Sequence, residues 1–168
     1  MTSEPVIRPL QQTDIAAVTA IYVHYVSTTT ATFEIEPPDA DEMWRRAGAV
    51  LERGLPYLVA EAGNAVRGYA YAAPHRPRPG YAGTVESSVY VAPDFARKGI
   101  GRMLMERVIY QCRRSGFHRM LAGVGGSDNA ASLGLHRALG FRYVGTFNEV
   151  GFKFGRYVNT HFFEFELE

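Results

Sequence analysis

Apolar residues recur at three- and four-residue spacing in four stretches of the chain, and alternate or cluster in short runs between them. Ile15, Val18, Ile21, Tyr22, Tyr25 and Val26 form the first helical stripe, opened by Thr13 and Asp14. Met43, Ala47, Val50 and Leu51 mark a second helix over residues 39–53, stopped by Gly54. Ile100, Leu104, Val108 and Cys112 fall four apart on a third, which ends near Gly116, and residues 130–139 form a fourth, closed by Gly140. Extended runs fill the gaps: a short one at Val6, Ile7 and Leu10, then 57–61 and 66–72, joined through Gly63-Asn64 as a hairpin. Further runs follow at 85–91, 119–124, 141–150 and 158–167, the last alternating as HFFEFELE. The order β-α-α-β-β-β-α-β-α-β-β predicts one α/β domain over residues 1–168. Its sheet is expected to be mixed and mostly antiparallel, flanked by helices, with the later helix-connected strands parallel.

Two loops interrupt this pattern. Residues 27–38, STTTATFEIEPP, are polar and proline-ended and long enough to line a site. Residues 74–83, PHRPRPGYAG, are stiffened because each proline fixes its own φ and restricts the residue before it.

Composition narrows the function classes. The 168 residues carry 18 Lys+Arg against 17 Asp+Glu, a net charge of +1, which gives no nucleic-acid or membrane footprint. The single cysteine, Cys112, permits neither an intrachain disulfide nor a cysteine-based zinc site, and no metal is expected. No secretory leader and no run of about 18 apolar residues is evident, so the expectation is a soluble cytoplasmic protein.

Chemistry concentrates in two stretches. In ESSVYVAPDFARKGIGR (86–102) an extended run ends in a basic, glycine-containing turn from which the third helix starts. Backbone N–H groups at such a turn can cradle a phosphate, and Arg97, Lys98 and Arg102 add positive charge, although a solvated basic helix start has the same composition. The turn is neither a P-loop nor a dinucleotide fingerprint. Glu86 lies upstream as an acid/base group. In SDNAASLGLHRALGF (127–141) Asn129 stands as a helix N-cap, with His136 two turns along the same face, where packing and catalysis are both open to it. Arg76 and Arg78 sit two apart in the proline loop and suit a carboxylate or phosphinate. Phe33 and Tyr81 are candidate pocket walls. Cys112, on an apolar stripe, reads as core.

Taken together, ARKGIG after ExxVYV, and NxxSxxLHRALGF after it, resemble the GCN5-related N-acetyltransferase (GNAT) superfamily. HYVSTTTATFE (24–34), the arginine-proline loop, ESSVYV (86–91) and GFKFGRYVN (151–159) are similar to its phosphinothricin and methionine sulfoximine/sulfone acetyltransferase branch. The resemblance implies a GNAT fold that binds acetyl-CoA. The pyrophosphate would rest on the backbone of Arg97, Lys98, Gly99, Ile100, Gly101 and Arg102, and the pantetheine arm would pair with Val89, Tyr90 and Val91. Asn129 and Ser132 would contact the coenzyme. It implies direct attack of an amine without an acyl-enzyme. Glu86 would take the amine's proton, aided if burial raises its pKa, and His136 would protonate the leaving thiolate. It places the amino-acid substrate among Phe33, His75, Arg76, Arg78, Tyr81, Glu86, Ser87 and Ser88, and implies a homodimer. Ala96 departs from the Gln or Arg usual at its position, as do His75, Tyr157 and Asn159 from the residues usual at theirs. The cradle is therefore expected to rest on backbone amides. A polyamine or peptide N-terminal acetyltransferase and a CoA-sensing module without turnover are the alternatives.

Overall fold

The computed structural model describes residues 4–168. The chain begins with β1 (Val6–Pro9), a 3₁₀ turn and α1 (Ile15–Thr28), and α2 is Ala40–Leu51. Asp39 caps α2, its carboxylate accepting from the Glu42 N–H at 2.8 Å. The hairpin of β2 (Tyr57–Ala62) and β3 (Ala65–Pro74) turns on Gly63 and Asn64, both at positive φ, as a two-residue hairpin requires. β4 (Thr84–Val91) leads to α3 (Ile100–Arg114), β5 (Arg119–Gly125) to α4 (Ala130–Ala138), and β6 (Arg142–Lys153) and β7 (Arg156–Glu166) end the chain.

Among the described residues the sheet has seven strands in the order β1-β2-β3-β4-β5-β7-β6, and only the β4/β5 pair is parallel. The two crossover helices act differently. α3 joins neighbouring parallel strands, whereas the strand after α4 becomes the sheet edge, with β7 inserted between β5 and β6. The last hairpin is longer than the apolar pattern predicts, because Phe154 and Gly155 take positive φ and turn the chain well past residue 150.

The core lies on both faces of the sheet. Ile100, Leu104, Val108 and Cys112 of α3 are buried on one face, and Val18, Ile21 and Val26 of α1 with Met43 and Ala47 of α2 are buried on the other. Burying each such aliphatic side chain is worth about 1.5–3 kcal/mol. Cys112 is fully buried in the core, as its apolar stripe predicted, and its apolar surroundings push its thiol up to about 12, so it stays protonated.

Candidate active site

The parallel ladder between β4 and β5 is short. It pairs Thr84–Arg119, Val85–Met120 and Glu86–Leu121, and stops there. Beyond Glu86 the two strands diverge, and a cavity of about 320 Å³ opens between them. Ser87 to Val91 of β4, Gly123 and Val124 of β5, and the starts of α3 and α4 line it. The β4 backbone facing this gap has lost its strand partner, so it can pair with an extended ligand as with an added strand. Tyr25 of α1 crosses the gap's end, its hydroxyl donating to the Val91 carbonyl at 2.6 Å.

The cavity ends at the basic turn. Arg97 and Gly99 both have positive φ, at 62° and 81°, which folds the backbone so that successive N–H groups converge. The first N–H with an intrahelical partner is that of Met103, bonded to the Gly99 carbonyl at 3.1 Å. The N–H groups of Ile100, Gly101 and Arg102 precede it and are free for an anion. A Cβ on Gly101 would lie 3.3 Å from Leu135 and 3.5 Å from Val91, so glycine lets the cradle sit tightly between β4 and α4. Ala96 lines the cavity with only a methyl group. Lys98 stands over the Phe95 ring, 4.3 Å from its centroid. The residues fit a pyrophosphate and a strand-like arm.

On α4, Asn129 is the N-cap, its side-chain oxygen accepting from the Ser132 N–H at 3.4 Å. One turn on, the Ser132 carbonyl lies 2.8 Å from His136 Nδ1. A carbonyl can only accept, so Nδ1 carries the proton and the neutral ring has a bare Nε2. His136 is 4% exposed, stacked on Phe163 and edge-on to Phe141. Burial lowers its pKa below the ordinary 6.5, the Ser132 hydrogen bond opposing only in part. The resting ring is a proton acceptor.

Strand alternation separates the β4 side chains. Val85, Ser87, Val89 and Val91 face α3, while Glu86, Ser88 and Tyr90 face α1 and α2. Ser88 therefore shares the face of Glu86 and bonds the Tyr71 hydroxyl, whereas Ser87 lies on the other face. Sequence reasoning grouped the two serines. Glu86 is half exposed rather than buried, its side chain 49% accessible, and it is hydrogen-bonded to His75. His75 packs edge-on against Tyr81, and Arg76 lies over the same ring at 5.6 Å. Arg78 is exposed in the same loop, without a side-chain partner among the described residues. The fold thus gathers His75, Arg76, Tyr81 and Glu86 at the closed end of the gap.

The loop after α1 roofs this end. Glu34 is held by Arg46 at 2.7 and 3.0 Å, which keeps its carboxyl below the usual range, and by the Tyr22 hydroxyl. Phe33 lies against Gly151, where any Cβ would come within 2.6 Å of its ring. Lys153, 2% exposed, donates to the Thr32 carbonyl at 2.8 Å. Tyr25, Tyr71 and Lys153 escaped sequence reasoning because each sits in an apolar pattern, or in a late strand, that reads as framework.

The profile of the Acetyltransferase (GNAT) family matches residues 18–141. The chain is 49% identical over 154 residues, 92% of its length and 78% of the relative's, to a phosphinothricin N-acetyltransferase of Alcaligenes faecalis. It is 42% identical over 164 residues (96% of this chain, 94% of the relative) to an L-methionine sulfoximine/L-methionine sulfone acetyltransferase of Salmonella typhimurium. A solved Salmonella typhimurium structure with its cofactor acetyl-CoA superposes with a TM-score of 0.94 at 40% identity, covering 98% of this chain and 94% of that one. The chain belongs to the GNAT acetyltransferase family. As a GNAT enzyme it is an acetyl-CoA-dependent N-acetyltransferase, and the divergent β4 and β5 are the part of its fold open to the acyl donor.

Proposed function

We propose that this GNAT enzyme acetylates the α-amino group of small amino acids whose side chains resemble phosphinothricin or methionine sulfoximine and sulfone. One observation carries the reading. Arg76 lies over Tyr81, which packs against the His75 that is hydrogen-bonded to Glu86, so a positive charge stands in one cluster with an acid/base group, and Arg78 follows two residues on in the same exposed loop. Arginine pairs carboxylates and phosphinates bidentately, and a polyamine would want acidic residues there instead. A CoA-sensing module would have no use for Glu86 and His136 at the two ends of one reaction path.

Acetyl-CoA, when bound, supplies the activated acyl carbon and a thiolate leaving group. Asn129, Ser132 and the N–H groups of the basic turn hold it, with Val89, Tyr90 and Val91 alongside. Glu86 takes one proton from the ammonium form of the substrate, and His75, hydrogen-bonded to it, leads that proton toward solvent. The neutral amine then attacks the acyl carbon as the carbon–sulfur bond breaks. The nitrogen's second proton passes to the bare Nε2 of His136 and from there to sulfur, which returns the ring to its resting state. Phe33 and Ser88 wall the acceptor side, and Ser87 borders the thioester. The enzyme works in the cytoplasm as a homodimer.

A thiol-release assay with acetyl-CoA tests the reading against phosphinothricin, methionine sulfoximine, methionine sulfone, spermidine and short peptides. Turnover is expected with the first three. Turnover of spermidine alone would overturn the substrate class. Glu86→Gln should lower kcat by roughly 10²–10⁴-fold with acetyl-CoA affinity unchanged.

A further inference from the structure

The turn between β5 and α4 carries polar groups that the acetyl transfer does not use. Gly126 takes a φ of 83°, which swings the chain from strand toward helix and leaves Ser127 exposed on the bend. The bend is held from behind, since a Cβ on Gly126 would lie 2.5 Å from the Thr30 hydroxyl. The Ser127 hydroxyl lies 2.9 Å from His161 Nε2. On the far side of the ring, Nδ1 lies 2.8 Å from the Thr146 hydroxyl, which is bonded in turn to that of Tyr143. The sheet register fixes the ring's place, because His161 stands opposite Val124 on β5 and Thr146 on β6. A tie between three elements could be built from polar groups in any order. Here they stand as hydroxyl, imidazole and orienting hydroxyl, the order of an activated serine.

We propose that Ser127 and His161 form a second catalytic site, an esterase for small carboxylic esters, with Thr146 as its positioning residue. A serine on a strand-to-helix turn can present its hydroxyl and the neighbouring N–H groups to one carbonyl. The N–H groups of Ser127 and Asp128 have no hydrogen-bond partner among the described residues, so both are open to an oxyanion. The adjacent Asp128 carboxylate is paired with Arg156 at 3.1 Å, which offsets its charge. Tyr143, 46% exposed with its ring 6.4 Å from the imidazole, gives the ester's organic half an apolar face. With Nδ1 donating to Thr146, Nε2 takes the Ser127 proton as Oγ bonds to the ester carbonyl carbon. The ester C–O bond then breaks, and the alcohol leaves with the proton from Nε2. Water attacks the acyl-serine, Nε2 receives its proton and returns it to Oγ, and the carboxylic acid departs. Water is the one co-reactant, and Glu86 and His136 take no part.

Two probes test the site on the full chain without acetyl-CoA: p-nitrophenyl acetate and a serine-reactive fluorophosphonate. The wild type should release p-nitrophenolate over many turnovers, faster than free imidazole at equal concentration. The fluorophosphonate should mark Ser127 within the tryptic peptide of residues 120–137. Ser127→Ala should lose both signals, and His161→Phe should lower the rate by about 10²-fold or more. Thr146→Val should lower kcat by about 10-fold at unchanged KM, and Thr146→Ser should restore it, a pattern that loss of folding would not give. In each variant acetyl-CoA should raise the melting temperature as it does in the wild type, which reports an intact fold. The wild-type labelling needs no variant. No catalytic release, a label on another residue, or release that persists in Ser127→Ala would each overturn the second site. A rate unchanged in His161→Phe would overturn the role of the imidazole, and with it the site. Neither probe involves an amine acceptor, so the result is independent of which amine the enzyme acetylates.

Discussion

His136 shows how one hydrogen bond can decide what a residue does. The same ring with its proton on Nε2 could donate at once to a thiolate, but the Ser132 carbonyl fixes the proton on Nδ1. The aromatic sandwich of Phe141 and Phe163 then makes charging the ring costly. The pH dependence follows in sign. In the unfolded chain the ring binds a proton near pH 6.5, while the folded ring binds it only at lower pH. Its contribution to stability is full above about pH 6.5 and is lost as the pH falls through that value toward the folded pKa. His136→Phe fills the same space without titrating. The Tm of the variant should therefore fall less than that of the wild type between pH 7.5 and about 5.5, and kcat should drop by roughly 10²-fold. Parallel Tm curves would show that the ring's burial is not felt by the fold.

At the scale of elements, the sequence is most legible where one pattern decides. The α3 stripe and its glycine stop, the β2/β3 hairpin and the basic turn were readable because period, turn chemistry and charge coincide there. What could not be read is set by contacts distant in sequence. The hydrogen bond of Glu86 to His75, just past the end of β3, depends on the β3/β4 pairing that brings the two together. The role of Lys153 depends on Thr32, 121 residues away. The length of the last hairpin depends on Phe154 accepting positive φ, which no propensity favours. The α3 cradle offers a test at this scale. Gly101→Val pushes a branched side chain against Leu135 and Val91, where even a Cβ is close. It should cost about 1–3 kcal/mol of stability by overpacking. It should also raise the acetyl-CoA KM by about 10-fold or more while the amine KM moves far less, since the proposed acceptor side lies at the other end of β4. Equal effects on both would mean that the turn does not hold the donor.

For the molecule as a whole, the decisive feature is a sheet left unpaired along one line. Inside the sheet the other strands pair with their neighbours, but β4 and β5 part after Glu86 and Leu121, which leaves backbone groups open to a ligand or water, the Val91 carbonyl already taken by the Tyr25 hydroxyl. A ligand bound there joins the two halves of the sheet and so should stabilise the whole fold. Linkage gives the size: at acetyl-CoA concentrations about 100 times its Kd the gain is about 2.7 kcal/mol. For a chain of this length that is a rise in Tm of roughly 5–10 °C. The rise should follow the logarithm of acetyl-CoA concentration in differential scanning fluorimetry, and it should shrink in Gly101→Val at equal concentration. At the proposed acceptor site the amine substrate alone would meet side chains, Arg76 among them, and bridge no strands. It should move Tm much less at the same multiple of its KM. An equal or larger shift from the amine would place the stabilising contacts outside the β4/β5 gap and overturn the view that the donor completes the sheet.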